Sequence, residues 1–395
     1  MYKNLLALLN AQIFVSFGGL AIPPLLPFIQ SELKLNYTQL GSIMTFLYLG
    51  ATIMSFPAGW LTDKLGVKKM IFLSHVFMGF FVGLYSLTGN YLMAILFSLI
   101  AGLGYGMINP PTTKGILVLV EKKNRGLVMS VKQTGVPIGG AIAAGLLPSF
   151  AILYSWKSSL ILAALLISLS GLLSLVLYHE NLTGGIPMDG QPESPAVRWK
   201  EIYQNRNIIF LTTGSAFCCM VQISLITYVI LYLRDLKKFD VTLAAYYLTL
   251  TNVGGVLGRI SWGGISDRLF NAGRKIVLQL IVSLIFVTSL ILGLNIELPP
   301  IALSFVLFIF GFSAIGWNGV AHAFLVELSG EKMAGRAVGL AMVVFFIGNL
   351  SGPLFFGKII DLTGTYDMAW YFLCATMVGA FISFHFIQEK KMPLI

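Results

Sequence analysis

Gly59-Trp60-Leu61-Thr62-Asp63-Lys64-Leu65-Gly66-Val67-Lys68-Lys69 closes one long apolar run, and Gly263-Gly264-Ile265-Ser266-Asp267-Arg268 closes another, ahead of the basic pair Arg274-Lys275. Upstream of the first run stands Leu33-Lys34-Leu35-Asn36-Tyr37, and upstream of the second Lys237-Lys238-Phe239-Asp240. The offset is 204 positions at both ends, so the apolar run between them is matched without a gap. One apolar run with the same polar ends therefore occurs once in each half of the chain. Related halves are a common plan of secondary transporters, with the binding site between them near the bilayer midplane.

Working outward, the 395 residues are 57% apolar and only 11% charged, with a mean hydropathy of +0.85. Water-soluble domains carry roughly 45–50% apolar and about 25% charged residues. The excess apolar surface must face lipid, which excludes a secreted domain, a cytosolic enzyme and a nucleic-acid reader. A spanning helix needs about 20 mostly apolar residues, and the chain supplies twelve such runs, the first over 5–30 and the last over 367–388. The first run is too long for a cleavable signal core. The longest polar interruption holds Pro187, Asp189, Gly190, Pro192, Glu193, Pro195, Arg198 and Lys200, a linker composition. The expected organisation is an N-terminal six-span bundle over 1–178, a cytoplasmic linker over 179–206 and a C-terminal six-span bundle over 207–395. Seventeen of the 26 basic residues fall in loops and tails on one side and six on the other. That bias predicts an inner-membrane protein with both termini and the linker in the cytoplasm. The net charge of +10 is thus read as orientation and not as nucleic-acid binding. The three cysteines, Cys218, Cys219 and Cys374, lie in apolar stretches with no disulfide or metal spacing.

The stretch Gly59 to Lys69 resembles the loop motif of the major facilitator superfamily, and Gly263 to Lys275 resembles its degenerate second-half copy. Twelve spans split after the sixth agree with that family. The resemblance implies an all-α membrane fold of two pseudo-repeated six-helix bundles. In physical terms, Gly59 and Gly263 are expected to let two helices approach closely. Asp63 and Asp267, with Lys64, Lys68, Lys69 and Arg268, are expected to form a charge lock that holds the cytoplasmic face shut and breaks during transport.

Ionisable residues inside a span are functional-site candidates by default, and here their sign is informative. None of the sixteen acidic residues lies near a midplane. Three cations do lie well inside: Lys114 in the fourth span, Lys132 in the fifth and Arg259 in the eighth, each about 10–12 Å from the cytoplasmic interface at 1.5 Å per residue. Unpaired buried charge costs several kcal/mol per ion, so a cavity with these cations calls for an anion. The planar fork of Arg259 suits a carboxylate. Within the superfamily, Arg259 stands where the oxalate/formate antiporter and the monocarboxylate transporters look similar, four residues before the Gly263 that opens the motif copy. In those families this arginine binds the substrate carboxylate. The match is partial: Gly255 stands where proton-coupled relatives carry an aspartate, and the only lysine near the eleventh-span position is Lys358. Gly135-Val136-Pro137-Ile138-Gly139-Gly140 resembles the Gly-Pro motif of drug/proton antiporters, but Ser98 replaces their fourth-span arginine.

His322 in the tenth span can titrate near neutral pH. Asn109, Gln133, Asn252, Tyr228 and Trp317 are further candidates for the pocket, and Pro23, Pro24, Pro27, Pro110 and Pro111 for helix breaks. No phosphate-binding loop, metal set or nucleophilic triad is visible, so no enzyme activity, cofactor or metal is expected. The expected function is alternating-access transport of a small organic anion, a carboxylate, with exchange favoured over proton symport and the monomer as the working unit. A drug/proton antiporter, a carrier of inorganic anions, and a receptor or lipid-handling bundle remain the alternatives. The expected partners are a small anionic solute and the lipid bilayer, with no nucleic acid.

Overall fold

The computed structural model describes residues 2–121, 125–180, 204–270, 272–330 and 333–389. Most of the expected linker (181–203) and the basic residues Lys122, Lys123, Lys332, Lys390 and Lys391 lie outside them. The described residues are helical without a strand. Twelve helices are long and apolar enough to cross a membrane: span 1 (Tyr2–Leu33), span 2 (Tyr37–Leu65), span 3 (Val67–Tyr85), span 4 (Tyr91–Leu119), span 5 (Val128–Leu153), span 6 (Trp156–Leu177), span 7 (Arg206–Asp235), span 8 (Val241–Leu269), span 9 (Arg274–Gly293), span 10 (Pro300–Ser329), span 11 (Ala337–Thr363) and span 12 (Tyr366–His385). The chain is an integral multi-pass membrane protein.

The repeat seen in the sequence is present in the backbone and in single hydrogen bonds. Lys34 and Lys238 both adopt left-handed φ, 52° and 58°, which ends one helix so that another can begin. The next-but-one residues then cap spans 2 and 8. Asn36 Oδ1 accepts from the Gln39 amide at 2.9 Å, and Asp240 Oδ1 from the Leu243 amide at 3.0 Å. On the face that carries the termini, Glu180 Oε1 accepts from the Val67 amide at 2.7 Å and Glu389 Oε1 from the Arg274 amide at 2.7 Å. These two carboxylates sit just past spans 6 and 12 and cap the starts of spans 3 and 9. A two-way amide clasp is also duplicated: Asn4 with the backbone of His179, and Asn207 with the backbone of Gln388.

Glycine matters where spans 2 and 4, and their counterparts 8 and 10, cross at backbone contact. A Cβ on Gly50 or Gly102 would overlap the carbonyl of Leu99 or Leu47, and one on Gly254 or Gly311 that of Phe308 or Thr251. Only glycine admits so close an approach.

The first six and last six spans meet along two seams, span 2 with span 11 and span 5 with span 8. These seams are closed on the face opposite the termini. Toward the terminal face they part: a Cβ on Gly59, Gly126, Gly263 or Gly339 would meet nothing within 4 Å. The close approach expected at Gly59 and Gly263 is therefore absent in this conformation. The cleft between the halves opens to the terminal, basic face, and the motif loops are held apart with it.

Candidate functional site

Three spans are interrupted along their length, where irregular backbone leaves polar groups that must find partners inside the protein. Span 1 passes through a 3₁₀ turn at Pro23–Leu25. Span 4 breaks between Gly106 and Asn109, ahead of Pro110 and Pro111. Span 10 breaks between Ala314 and Asn318, with no proline. Prolines thus mark two of the three breaks, as the sequence led one to expect. The third surrounds Gly316, whose tight packing against Gly258 fixes the turn.

At the span 10 break, side chains of span 8 take up carbonyls. Trp262 Nε1 donates to the Phe312 carbonyl at 2.9 Å, and Arg259 Nε donates to the Ile315 carbonyl at 3.1 Å. Arg259 Nη1 reaches across to span 5 and donates to the Gln133 carbonyl at 2.6 Å. The guanidinium therefore bridges the two halves, and it is only 8% exposed. Its partners are neutral. Gln133 enters the site through its backbone carbonyl.

Lys132, one residue earlier, is 3% exposed. Its Nζ donates to Asn109 Oδ1 and to Thr113 Oγ1, each at 3.3 Å. Asn109 and Thr113 lie on the half-helix that follows the span 4 break, so the break aims both acceptors at Lys132. The ammonium does not extend to the interface, and it too has only neutral partners. Arg259 reaches the carbonyl of Gln133, the residue next to Lys132, so the two cations meet at one turn of span 5. Among the described residues, no carboxylate pairs with either.

Lys114 does not belong to this set. Its Nζ lies 2.7 Å from Asp63 Oδ1, so the expected three unpaired cations become two. The geometric reason is that Lys114 leaves the half-helix on a different face from Asn109 and Thr113, which hold Lys132, and so comes within reach of the motif carboxylate. The second motif copy is likewise paired within its own half, Asp267 with Arg274 at 2.6 Å, and Arg274 also holds Glu327 at 3.1 Å. Lys64 lies over the Trp60 ring, 5.2 Å from its centroid. No ion pair to Lys64, Lys68, Lys69 or Arg268 is made among the described residues. With the basic face open, no charge lock spans the halves among the described residues.

His322 stands one turn into the half-helix Asn318–Ser329. Its Nδ1 lies 2.7 Å from the Asn318 carbonyl, and its ring meets Phe345 edge-on. Trp317 is fully buried beneath the site, where its Nε1 donates to Gln222 Oε1 at 3.1 Å. Asn318 Nδ2 shares that acceptor at 3.3 Å. Asn252 is buried against Gly140 of span 5. Asn109 is exposed, and Thr113, Gln133, Asn318 and His322 are half-buried. Polar groups left accessible at this depth line a water-filled cleft, because hydrocarbon would not solvate them.

Tyr228 is not in the cleft. Its hydroxyl donates to the Tyr37 carbonyl at 2.7 Å and to the Pro353 carbonyl at 2.9 Å. It belongs to a seal on the opposite face that the sequence reading did not identify. Asp361 accepts from the amides of Tyr37 and Thr38 at 3.0 and 2.7 Å, capping span 2 from span 11. Asp235 accepts from the hydroxyls of Tyr37 and Tyr366 at 2.8 and 2.6 Å. Arg234 binds Asp235 and crosses to the Pro27 carbonyl and to Gln30 Oε1. Thr45 donates to the Leu350 carbonyl at 2.7 Å. The adjacent Arg234-Asp235 pair at a span end was the one visible signal. The tyrosines carried none, since aromatic residues are common at span ends.

Similarity to known proteins agrees with this architecture. The hexuronate transporter of Bacillus subtilis (strain 168) is 25% identical, covering 93% of this chain and 89% of its own length. A probable sulfoacetate transporter of Cupriavidus necator is 23% identical, covering 90% and 87%. The crystal structure of the nucleoside transporter NupG (D323A mutant) superposes with a TM-score of 0.78 over 98% of this chain and all of that one, at 15% identity; it shows the shared fold. The sequence model of the Major Facilitator Superfamily matches residues 8–353, and with twelve spans and duplicated halves meeting at a mid-depth cleft, the chain belongs to that superfamily.

Proposed function

We propose that the protein is a secondary carrier that moves a small organic anion, a carboxylate, by alternating access. The observation that carries this reading is the pair Arg259 and Lys132, both buried in the cleft with only neutral partners. Removing a charge from water without a counter-ion costs several kcal/mol per ion. An anion in the cleft supplies the missing charge to both at once, and the same field repels cations. The guanidinium fork gives a carboxylate two parallel donors, and Lys132 adds a point charge on its other side.

The two named relatives, carriers of a hexuronate and of sulfoacetate, support an anionic substrate. The resemblance to oxalate/formate and monocarboxylate carriers rests on the position of Arg259 alone. The conformation described is the one with the substrate route open to the basic face, which the positive-inside bias assigns to the cytoplasm. On this reading both termini are cytoplasmic, the membrane is the inner one, residues 1–178 and 207–395 are the two moving halves joined by 179–206, and the monomer is the working unit. With no carboxylate at mid-depth among the described residues to take a proton, exchange is favoured over proton symport.

The test is counterflow in proteoliposomes preloaded with a panel of mono- and dicarboxylates, with nitrate included. Saturable exchange of a carboxylate, lost in Arg259→Ala, is the expected result. Exchange of nitrate alone would replace the organic anion by an inorganic one. No exchange with any anion, or full activity without Arg259, would overturn the proposal.

A further inference from the structure

His322 is a titratable group of the cleft whose chemistry the anion pair does not use. Its Nδ1 lies 2.7 Å from the Asn318 carbonyl. A carbonyl only accepts, so the ring proton sits on Nδ1 and the lone pair on Nε2. The Nε2 atom is shielded from water and has no partner among the described residues. An unmet buried acceptor is unfavourable, and here the ring is also held in place, by its own helix backbone on one side and the edge contact with Phe345 on the other. His322 shares the cleft with the cations Arg259 of span 8 and Lys132 of span 5. A third positive charge beside those two would be repelled by both, so the ring presents an acceptor and not a cation.

We propose that His322 reads a hydroxyl on the transported anion, so that the carrier selects hydroxylated carboxylates over their unhydroxylated counterparts. This rests on the anion reading above. The partner that Nε2 lacks must be a donor. The field of Arg259 and Lys132 disfavours an ammonium donor, and a neutral O–H carried by the anion itself suits both the field and the acceptor. With the carboxylate on the two cations, a hydroxyl on Nε2 gives His322 the partner it lacks. A deoxy analogue would satisfy the cations and leave Nε2 buried and unpaired. Sites built to bond a substrate hydroxyl reject analogues lacking it for this reason.

The experiment is direct binding by calorimetry to the full chain in lipid nanodiscs. Two length-matched pairs serve as probes: galactarate with adipate, and glycerate with propionate. Wild type is expected to bind the hydroxylated member of a pair about tenfold tighter or more. His322→Phe keeps the ring and removes the acceptor, and it is expected to bring each pair within about twofold without weakening the unhydroxylated member. His322→Gln, which restores an acceptor oxygen, is expected to regain most of the preference. Equal binding of both members by wild type, or equal weakening of both by His322→Phe and His322→Gln, would overturn the proposal. Should the hydroxyl reading fail in that way while Arg259→Ala still abolishes adipate binding, the anion reading stands. Should neither pair bind wild type, both fall.

Discussion

Removing the Asp361 carboxylate should open the face opposite the termini. In Asp361→Ala, span 2 loses the acceptor for the Tyr37 and Thr38 amides, at 3.0 and 2.7 Å, and for the Thr38 hydroxyl at 2.5 Å. The interaction is a helix N-cap supplied from the other half of the molecule. Its loss falls only on the state with this face closed, because span 11 must leave span 2 for the face to open. Asp361 is exposed, so water replaces part of what is lost and the full value of charged hydrogen bonds does not apply. A lost cap is worth about 0.5–2 kcal/mol, roughly a 2- to 30-fold change in the ratio of two states. The assay is electron–electron double resonance between spin labels at Ser31→Cys and Thr242→Cys, exposed positions on that face in opposite halves; the native cysteines are buried. A longer-distance population should grow in Asp361→Ala by that factor and stay at the parental level in Glu297→Ala, an exposed acid outside the seal. A distance distribution unchanged in Asp361→Ala, or changed equally in Glu297→Ala, would refute the argument that this carboxylate holds the seal.

Other consequences follow from the same geometry. Lys132→Met should weaken anion binding about tenfold or more, while Lys114→Met, which breaks only the pair with Asp63, should leave affinity within about twofold; calorimetry on both variants separates them. Gly102→Val and Gly311→Val should each lower the melting temperature of the detergent-solubilised protein, because the new Cβ overlaps a carbonyl of the crossing span and overpacking costs about 1–3 kcal/mol. Val at Gly59, where nothing lies within 4 Å, is the control. Glu180→Ala and Glu389→Ala, which remove matched caps from spans 3 and 9, should destabilise to a similar extent, about 1 kcal/mol each, as read by urea or thermal unfolding monitored through tryptophan fluorescence.

The fold was legible because two physical signals reinforce each other along the chain. Lipid-facing helices must be apolar along their whole length, which makes spans readable one by one, and the matched ends of spans 2 and 8 revealed the duplication. The depth of that duplication was less visible. Its offset is 204 residues at Asn36 and Asp240 but 209 at Glu180 and Glu389, since the second half carries longer loops. A fixed shift therefore misses the paired caps. Within the site, sign and depth pointed to Arg259 and Lys132, and both are buried in the cleft. Lys114 has the same sequence depth as Lys132, and only the direction of its helix face puts it beside Asp63. Tyr228 reads as a pocket aromatic, whereas its hydroxyl bonds two backbone carbonyls in the seal. Backbone acceptors have no sequence signature. The same blindness hides the role of Gln133, which serves through its carbonyl.

That carbonyl links binding to movement. Arg259 is anchored to its own half through the Ile315 carbonyl and tied to the other half through the Gln133 carbonyl. A substrate carboxylate is a stronger acceptor than either, since charge-assisted hydrogen bonds are roughly twice as strong as neutral ones. The tie to Gln133 is the one an arriving anion can replace without unfastening Arg259 from span 10. On the proposed function, occupation of the site would exchange a bond between the halves for a bond to cargo at the span 5–span 8 seam. An empty carrier keeps the tie. A ligand shifts a conformational equilibrium only by its differential interaction with the two states, and on the proposed function the Gln133 bond is where that difference would arise. A charge at position 259 that cannot fork, as in Arg259→Lys, should still attract the anion through Coulomb force. It cannot hold the Ile315 carbonyl and a carboxylate in one plane, so binding should survive in part while counterflow falls much further. Equal losses in binding and counterflow would show that Arg259 serves affinity alone.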